Sequence, residues 1–305
     1  MLTILIPTYN RMEFLIKNLE ILSEIIPAGG FTEEVSLIVS DNCSTDNTYH
    51  EVKRFKDEAK IGITLHRQDT NIGLKANALF VLEKSTTDYV MYLGDDDFID
   101  AGYLATCMKL IRKDAKTTVI VPNYVPVSVD NELVADSRDL IGPVQRFEPG
   151  FDSILKYSWK GHQISGIVLK REGLHDAYMK YGVDNIYPFV FFVSYSGLNG
   201  VGYLIKDNPV RVTQPVKKKD WGYGDDGLVG EIFDNYKKLP VSSIQRFRLE
   251  TTLLYIQNWR LLMYRKFGAK VFWKAVCKIG YGKSSSMLFS LFFPVLLVLI
   301  KLKRK

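Results

Sequence analysis

At 305 residues, 47% apolar and 24% charged, the chain has an ordinary globular composition and enough length to bury one large core or two smaller ones. It carries no low-complexity tract and no solenoid repeat, and its cysteines, Cys43, Cys107 and Cys277, are too scattered for a zinc pattern or a disulfide framework, which favours a reducing compartment. The net charge of +6 is uneven: residues 260–305 hold 11 Lys and Arg and no Asp or Glu, which leaves 29 basic and 34 acidic residues, net −5, ahead of them.

In chain order, residues 2–6 (LTILI) form a short apolar run broken by Pro7-Thr8-Tyr9-Asn10. Too short for a secretion signal and without a basic start, it predicts a first strand. Met12, Leu15, Leu19, Leu22 and Ile26, three or four apart, predict a helix. Residues 35–39 read as a second strand, and the cap-forming SDNCSTDNT at 40–48 opens a polar helix. A weaker strand at 61–66 leads through RQDTNIG to a helix over 74–84. A strand at 88–93 runs into Asp95, Asp96 and Asp97, followed by a helix at 101–112 and a strand at 117–122. This alternation predicts an α/β fold, a mostly parallel sheet flanked by helices. Such sheets bind ligands beyond the carboxyl ends of their strands, which is where PTYNR, SDNCSTDN and GDDDF lie.

Beyond residue 122 the rhythm changes. Residues 123–150 read as irregular connections with short strands, and 162–174 as a strand followed by a helix start. Residues 183–198 read as a buried helix with Pro188 in its first turn, 203–215 as β and 217–227 as a loop; helical spacing dominates 241–279.

The consecutive carboxylates ask for an explanation. Like charges ~4 Å apart repel by ~1 kcal/mol in water and ~4 kcal/mol near a protein surface. One reading is a solvated turn with a helix N-cap. The other is a site for Mg²⁺ or Mn²⁺, which take one or two carboxylates and fill their shell with phosphate oxygens.

ILIPTYNR, SDNCSTDNT, NIGLKAN and YLGDDDF, in this order and spacing, resemble the signature of family-2 glycosyltransferases of the Rossmann-like GT-A fold, in particular bacterial O-antigen and capsule enzymes of the abequosyltransferase-like type. The motifs span residues 2–125, with a looser likeness over 160–200. The resemblance implies a nucleoside-diphosphate sugar donor, UDP- or dTDP-type, and a divalent metal. By position, Pro7, Tyr9 and Arg11 border the nucleotide, and Asp41 accepts the imide N–H of uracil or thymine. Asn71, Gly73, Lys75 and Asn77 match a donor-binding segment in which Gly73 admits backbone to the ligand and Lys75 faces the diphosphate as a point charge. The plain alternatives are an Asp41 that caps an Asx-type turn and a solvated Lys75. The family's usual Asp-x-Asp-Asp has Gly94 at its first position here, which leaves Asp95 beside the donor and assigns Asp96, with Asp97, to the metal.

The family's Glu-Asp pair, whose Asp deprotonates the acceptor hydroxyl for inverting displacement, is absent: the matching region reads YGVDNIYPFVFF. Asp184 is the nearest carboxylate there; its alternative role is that of a turn or cap residue. Asp225 and Asp226, in a glycine-rich loop, stand in reserve. The histidines make no metal-ligand spacing, and His162 reads as a structural histidine or one facing the acceptor.

Two segments near the end point to a membrane. On a helical wheel Lys266, Lys270, Lys274 and Lys278 share one side, with Phe267, Val271, Phe272, Ala275, Val276 and Ile279 on the remaining arc. That pattern fits an interfacial helix on anionic lipid, or a core-packing helix with a solvated lysine face. MLFSLFFPVLLVLI, residues 287–300, spans ~21 Å as a helix, short of the ~30 Å hydrocarbon core. With Pro294 inside, it predicts monotopic or re-entrant insertion. Lysines among long apolar runs suit a bilayer better than a phosphate groove, so no nucleic-acid partner is expected.

The expected organisation is a nucleotide-sugar-binding half over 1–125, an acceptor-side half over 126–240, and a helical, basic, membrane-associating extension over 241–305. The expected function is an inverting, metal-dependent glycosyltransferase, peripheral or monotopic at the cytoplasmic face of the bacterial inner membrane, acting on a lipid-linked saccharide in O-antigen or capsule synthesis. The alternative, supported by Gly94 and the missing Glu-Asp pair, is a non-catalytic nucleotide-sugar-binding or membrane-scaffolding homologue.

Overall fold

The computed structural model describes residues 1–137, 141–214 and 223–302. The chain divides into two compact units that interleave in sequence. The first takes Met1–Pro149, Gln163–Ala177 and Asn199–Lys218, the second Gly150–His162, Tyr178–Leu198 and Lys219–Lys305. Consecutive segments bounded at 125 and 240 therefore do not coincide with the compact units.

The first unit is built on one eight-stranded sheet. In chain order its strands are β1 (Leu2–Thr8), β2 (Val35–Asp41), β3 (Gly62–Arg67), β4 (Tyr89–Tyr92), β5 (Thr117–Val127), β6 (Gln145–Phe147), β7 (Val168–Lys170) and β8 (Val201–Thr213), and they lie in the order β3-β2-β1-β4-β7-β5-β8-β6. β3, β2, β1 and β4 are parallel; β7 runs antiparallel between β4 and β5; β8 is parallel to β5 and β6 antiparallel at the edge. Helices α1 (Met12–Ala28), α2 (Thr48–Glu58), α3 (Leu74–Lys84) and α4 (Ala101–Lys113) follow the first four strands. Every residue of β1 and β4 is buried, as strands covered on both faces require. The mostly parallel α/β sheet expected from the sequence is present. Because β1 has β2 on one side and β4 on the other, the connections diverge there, and the crevice beyond the carboxyl ends of β1 and β4 is where such a sheet takes its ligand.

β5 differs from expectation. It runs on through Val127 instead of ending at 122, and its pairing with β8 resumes at Tyr124↔Val210 after a register shift past Pro122. Pro122 and Pro126 read as breakers in sequence, but a bulge absorbs the irregularity and the strand continues.

The second unit is helical. The expected buried helix is Pro188–Asn199, with Phe189 through Val193 all buried. Val229–Lys238, Ser243–Ile256, Ala269–Tyr281 and Met287–Leu302 follow. Ser242 and Gln245 form a capping box at the start of Ser243–Ile256. Gly268, at φ 97°, separates a 3₁₀ turn at Met263–Phe267 from the helix Ala269–Tyr281, so Lys266 lies outside the helix that carries Lys270, Lys274 and Lys278. Among the described residues no helix is long and apolar enough to cross a membrane. Residues 138–140 of the expected irregular connection, residue 215 at the end of the expected β segment, residues 217–222 of the expected 217–227 loop and residues 303–305 of the basic end lie outside the described residues.

Candidate active site

The loops that leave β1, β2 and β4 are tied to one another by hydrogen bonds. Asn10 sits at φ 53°, in the left-handed region that Asn tolerates. Its Oδ1 accepts from Thr45 N at 2.8 Å, its own N–H donates to Ser44 Oγ at 2.9 Å, and Arg11 N donates to Thr48 Oγ1 at 3.2 Å. Pro7 is buried at the strand end, whereas Tyr9 and Arg11 are exposed.

Asp41 ends β2 and is fully buried. Its oxygens accept from Ser44 N at 3.2 and 3.3 Å, and Arg67 Nε lies 3.6 Å from Oδ2. Asp41 thus closes a local turn of its own loop, on the N–H three residues on. A carboxylate has about four lone-pair sites, so acceptor capacity remains. Asn42 Nδ2 donates to Asn71 Oδ1 at 2.9 Å, and Asn71 Oδ1 also accepts from Gly73 N at 2.9 Å. Gly73 has φ 84°, and a Cβ there would meet nothing within 4 Å. The backbone angle requires the glycine, and the space beside it is open. Asn77 is buried: it accepts from Ser40 Oγ at 2.6 Å and donates to Ser40 O at 2.9 Å, which fastens α3 to β2. Lys75, partly buried, stands in the first turn of α3.

After β4 the three carboxylates separate in role. Asp97 is buried and works as a strut. Its Oδ2 accepts from Ser165 Oγ at 2.5 Å and Gln163 Nε2 at 3.3 Å, and its Oδ1 accepts from Thr213 N at 2.9 Å. A Cβ on Gly94 would come to 3.0 Å from both Asp97 Oδ2 and Ser165 Oγ, so glycine at this position leaves room for that bond. Asp95 and Asp96 are partly exposed. Asp95 Oδ2 accepts from Thr8 Oγ1 at 2.7 Å. Burial first, then the charge of Asp96, push the Asp95 carboxyl up to about 7, against the opposing pull of Thr8 and Arg11. Among the described residues no side chain hydrogen-bonds or ion-pairs with the Asp96 carboxylate. The capping alternative for the cluster falls to Asp100 instead, which accepts from Tyr103 N at 2.7 Å at the start of α4.

Among the described residues no three His, Cys, Asp or Glu side chains converge to hold a metal ion. The donor set nonetheless fits a hard divalent cation. Two adjacent carboxylates, one with raised proton affinity and one without a side-chain partner among the described residues, are what such an ion takes when water and phosphate oxygens complete its shell. Asp97 is already committed to Ser165, Gln163 and Thr213.

Sequence reasoning missed Asn18. It is fully buried on α1 between Leu15 and Leu19, and its Nδ2 donates to Gly94 O at 3.1 Å and to Asp97 O at 2.8 Å. A polar side chain inside an apolar stripe is the signal that marks it.

In the second unit Asp184 is exposed on the wall of a cavity of about 690 Å³, shared with Asn185, Glu231, Asp234 and Lys238. The reserve carboxylates are engaged. Asp226 accepts from Leu228 N and Gly230 N, both at 3.1 Å, at the start of Val229–Lys238. Asp225 bonds Lys274 Nζ at 3.0 Å, and this hydrogen bond holds its carboxyl below the ordinary range. His162 Nδ1 lies 2.7 Å from Trp159 O, which suits the structural reading.

Known proteins resemble this chain over the same regions. The profile of glycosyl transferase family 2 matches residues 3–177, more than half of the chain. Abequosyltransferase RfbV of Salmonella typhimurium is 30% identical over 110 residues, 36% of this chain and 32% of RfbV. Poly(ribitol-phosphate) beta-N-acetylglucosaminyltransferase TarS of Staphylococcus aureus is 25% identical over 120 residues, 39% of this chain and 20% of TarS. The aligned stretches therefore span a third or less of these curated relatives. The crystal structure of S. aureus TarS 1–349 in complex with UDP-GlcNAc superposes with a TM-score of 0.68 at 14% identity, over 99% of this chain and 87% of that one. The mannosyltransferase PcManGT of Pyrobaculum calidifontis, in complex with GDP-Man and Mn²⁺, gives 0.55 at 15% identity, over 100% and 87%. At these identities the structural likeness establishes the fold, and it is the GT-A fold that the motifs implied. With the motifs at the carboxyl ends of β1, β2 and β4 and the family profile covering that sheet, the chain belongs to glycosyl transferase family 2.

Proposed function

We propose that the chain is an inverting glycosyltransferase that moves a sugar from a UDP- or dTDP-type donor to a lipid-linked saccharide in bacterial O-antigen or capsule synthesis. The observation that carries this reading is the Asp95–Asp96 pair at the switch point of the sheet, where a carboxyl held by Thr8, with raised proton affinity, lies next to a carboxylate that has no side-chain partner among the described residues. Asp96, with Asp95, would hold Mg²⁺ or Mn²⁺, and Asp97 would support them through its bonds to Ser165 and Thr213. When bound, the ion supplies positive charge against the leaving diphosphate.

The chain's own residues orient the donor and move the proton. Tyr9 and Arg11, exposed after Pro7, border the nucleotide, and Asp41 offers its remaining lone pairs to the base. The open space at Gly73 admits the donor between Asn71 and Lys75, and Asn77 braces that segment from beneath. Asp184, exposed on a cavity wall rich in hydroxyl-binding groups, takes the proton of the acceptor hydroxyl. A lipid-linked acceptor puts the reaction at a membrane, and the acid-free, basic C-terminal segment supports the cytoplasmic face of the inner membrane, peripheral or monotopic.

The test is a panel of UDP- and dTDP-sugars with Mg²⁺ or Mn²⁺ and bacterial lipid extract. One donor is expected to raise the melting temperature in a metal-dependent way and to release nucleoside diphosphate as labelled sugar enters the lipid fraction. A donor that binds yet releases no diphosphate with any acceptor identifies the non-catalytic homologue instead.

A further inference from the structure

The helix Met287–Leu302 is apolar on two sides. Phe289, Phe293, Leu296 and Ile300 are buried. Phe289 meets Phe233 edge-on with ring centroids 4.9 Å apart, and Phe293 packs over Gly280. The start of the helix is latched by buried Glu250, which accepts from Arg246 Nε at 2.9 Å and Ser286 N at 3.1 Å, while Arg246 also donates to Ser284 O at 2.7 Å. One face is thus fixed within the unit. The other face, Leu288, Leu291, Val295, Val298 and Leu302, repeats every three or four residues and is exposed, Leu291 to 73% and Val298 to 57%. The adjoining helix Ala269–Tyr281 buries Ala275, Val276 and Ile279 and exposes Trp273 and Tyr281.

Apolar patches of this kind mark partner sites, and charge selects the partner. From residue 260 onward there is no acid, and Arg265, Lys266, Lys270, Lys283 and Lys301 are exposed. A second copy meeting this face about a twofold axis would set these cations against themselves. Anionic lipid would neutralise them, and exposed Trp and Tyr suit the headgroup level. Lys274 is already paired with Asp225 at 3.0 Å and contributes less. We propose that this face rests on an anionic phospholipid bilayer, with the helix Met287–Leu302 parallel to the surface, its exposed stripe at the acyl boundary and the cations toward the headgroups. The inference rests on the membrane placement of the proposed function and deepens it, and flotation reads it out independently of sugar transfer.

The full chain is to be floated with vesicles of phosphatidylcholine alone and of phosphatidylcholine mixed with phosphatidylglycerol. It is expected to partition about tenfold or more in favour of the mixed vesicles, and less so in high salt. The variant Leu291→Ser/Val295→Ser/Val298→Ser changes only exposed positions, so its melting temperature is expected to hold while its partition falls about tenfold or more. Unchanged partition of that variant, no preference for the anionic vesicles, or no flotation of the parent overturns the proposal. So does a dimer in sedimentation equilibrium that the variant dissociates, since it assigns the face to a second copy.

Discussion

Asn18 on α1 donates through one side-chain nitrogen to two carbonyls of the carboxylate turn, that of Asp97 at 2.8 Å and that of Gly94 at 3.1 Å. A single buried amide therefore fixes the turn on which Asp95 and Asp96 stand. Asn18→Leu keeps the volume and leaves both acceptors without this donor. An unsatisfied buried group costs about 1–3 kcal/mol, so a loss of about 2 kcal/mol in denaturant unfolding is expected. Metal-dependent donor affinity, measured by calorimetry, should fall with it. Full donor affinity in Asn18→Leu would mean that Ser165 and Thr213 hold the turn unaided.

Asp96 and Asp97 are neighbours with opposite expected phenotypes. Asp96 is partly exposed and has no side-chain partner among the described residues, so Asp96→Ala should change stability by no more than about 0.5 kcal/mol while abolishing transfer. Asp97→Ala strips the partner from Ser165, Gln163 and the Thr213 N–H, and bonds to a charged group are worth about 1.5–3 kcal/mol each. It should lower stability by several kcal/mol. Unfolding curves and initial rates on both variants decide the assignment, and retained transfer by Asp96→Ala would remove the metal site from the proposal.

The first four strands were legible because each is an apolar run that ends in a polar loop, a pattern local to the chain. β7 was legible as a strand within 162–174, but its place was not: three residues inserted antiparallel between β4 and β5 make an arrangement set by pairings across many residues. The extension of β5 past Pro122 was hidden by two prolines whose disruption the bulge absorbs. At the site, the cluster of Asp residues stood out in the sequence, but the division of labour within it did not. That division comes from Ser165 and Thr213, which lie 68 and 116 residues away from Asp97. The reading of 266–279 as one helix failed at Gly268, and two of its lysines approach Asp225, Lys274 at 3.0 Å and Lys278 at 4.0 Å.

Asp95 gives the protein a pH dependence with a definite sign. Folded, its carboxyl titrates at about 7; unfolded, it returns toward the ordinary 3.8. The folded state holds the extra proton between these values, so this group's stabilising contribution is complete below the lower one and is lost as pH rises through the upper one. In a chelator, unfolding free energy should decline across that window, and Asp95→Asn should flatten the decline. A divalent cation competes with the same proton, so donor affinity with Mn²⁺ should climb toward pH 7 and then level. Thr8→Val removes the hydrogen bond that favours the carboxylate and should move the plateau to higher pH. Donor affinity independent of pH in the parent would separate Asp95 from the cation.

Gly280 lets the Phe293 ring of the helix Met287–Leu302 pack directly against the helix Ala269–Tyr281. A Cβ at this position would overlap Cδ1 and Cε1 of the Phe293 ring, so a larger residue cannot enter while Phe293 keeps its place. Overpacking of this kind costs about 1–3 kcal/mol when the contact yields a little. If the helix detaches instead, the burial of Phe289 and Phe293 is lost at about 1.5–3 kcal/mol each. The second outcome competes with the first only because the helix is held by one face. Gly280→Val should therefore make the connection at 282–286 susceptible to limited proteolysis, which Leu291→Ser, on the exposed face, should not do. Equal protease resistance in both variants would show that the Glu250 latch alone keeps the helix in place, and Glu250→Gln combined with Gly280→Val would then be needed to release it.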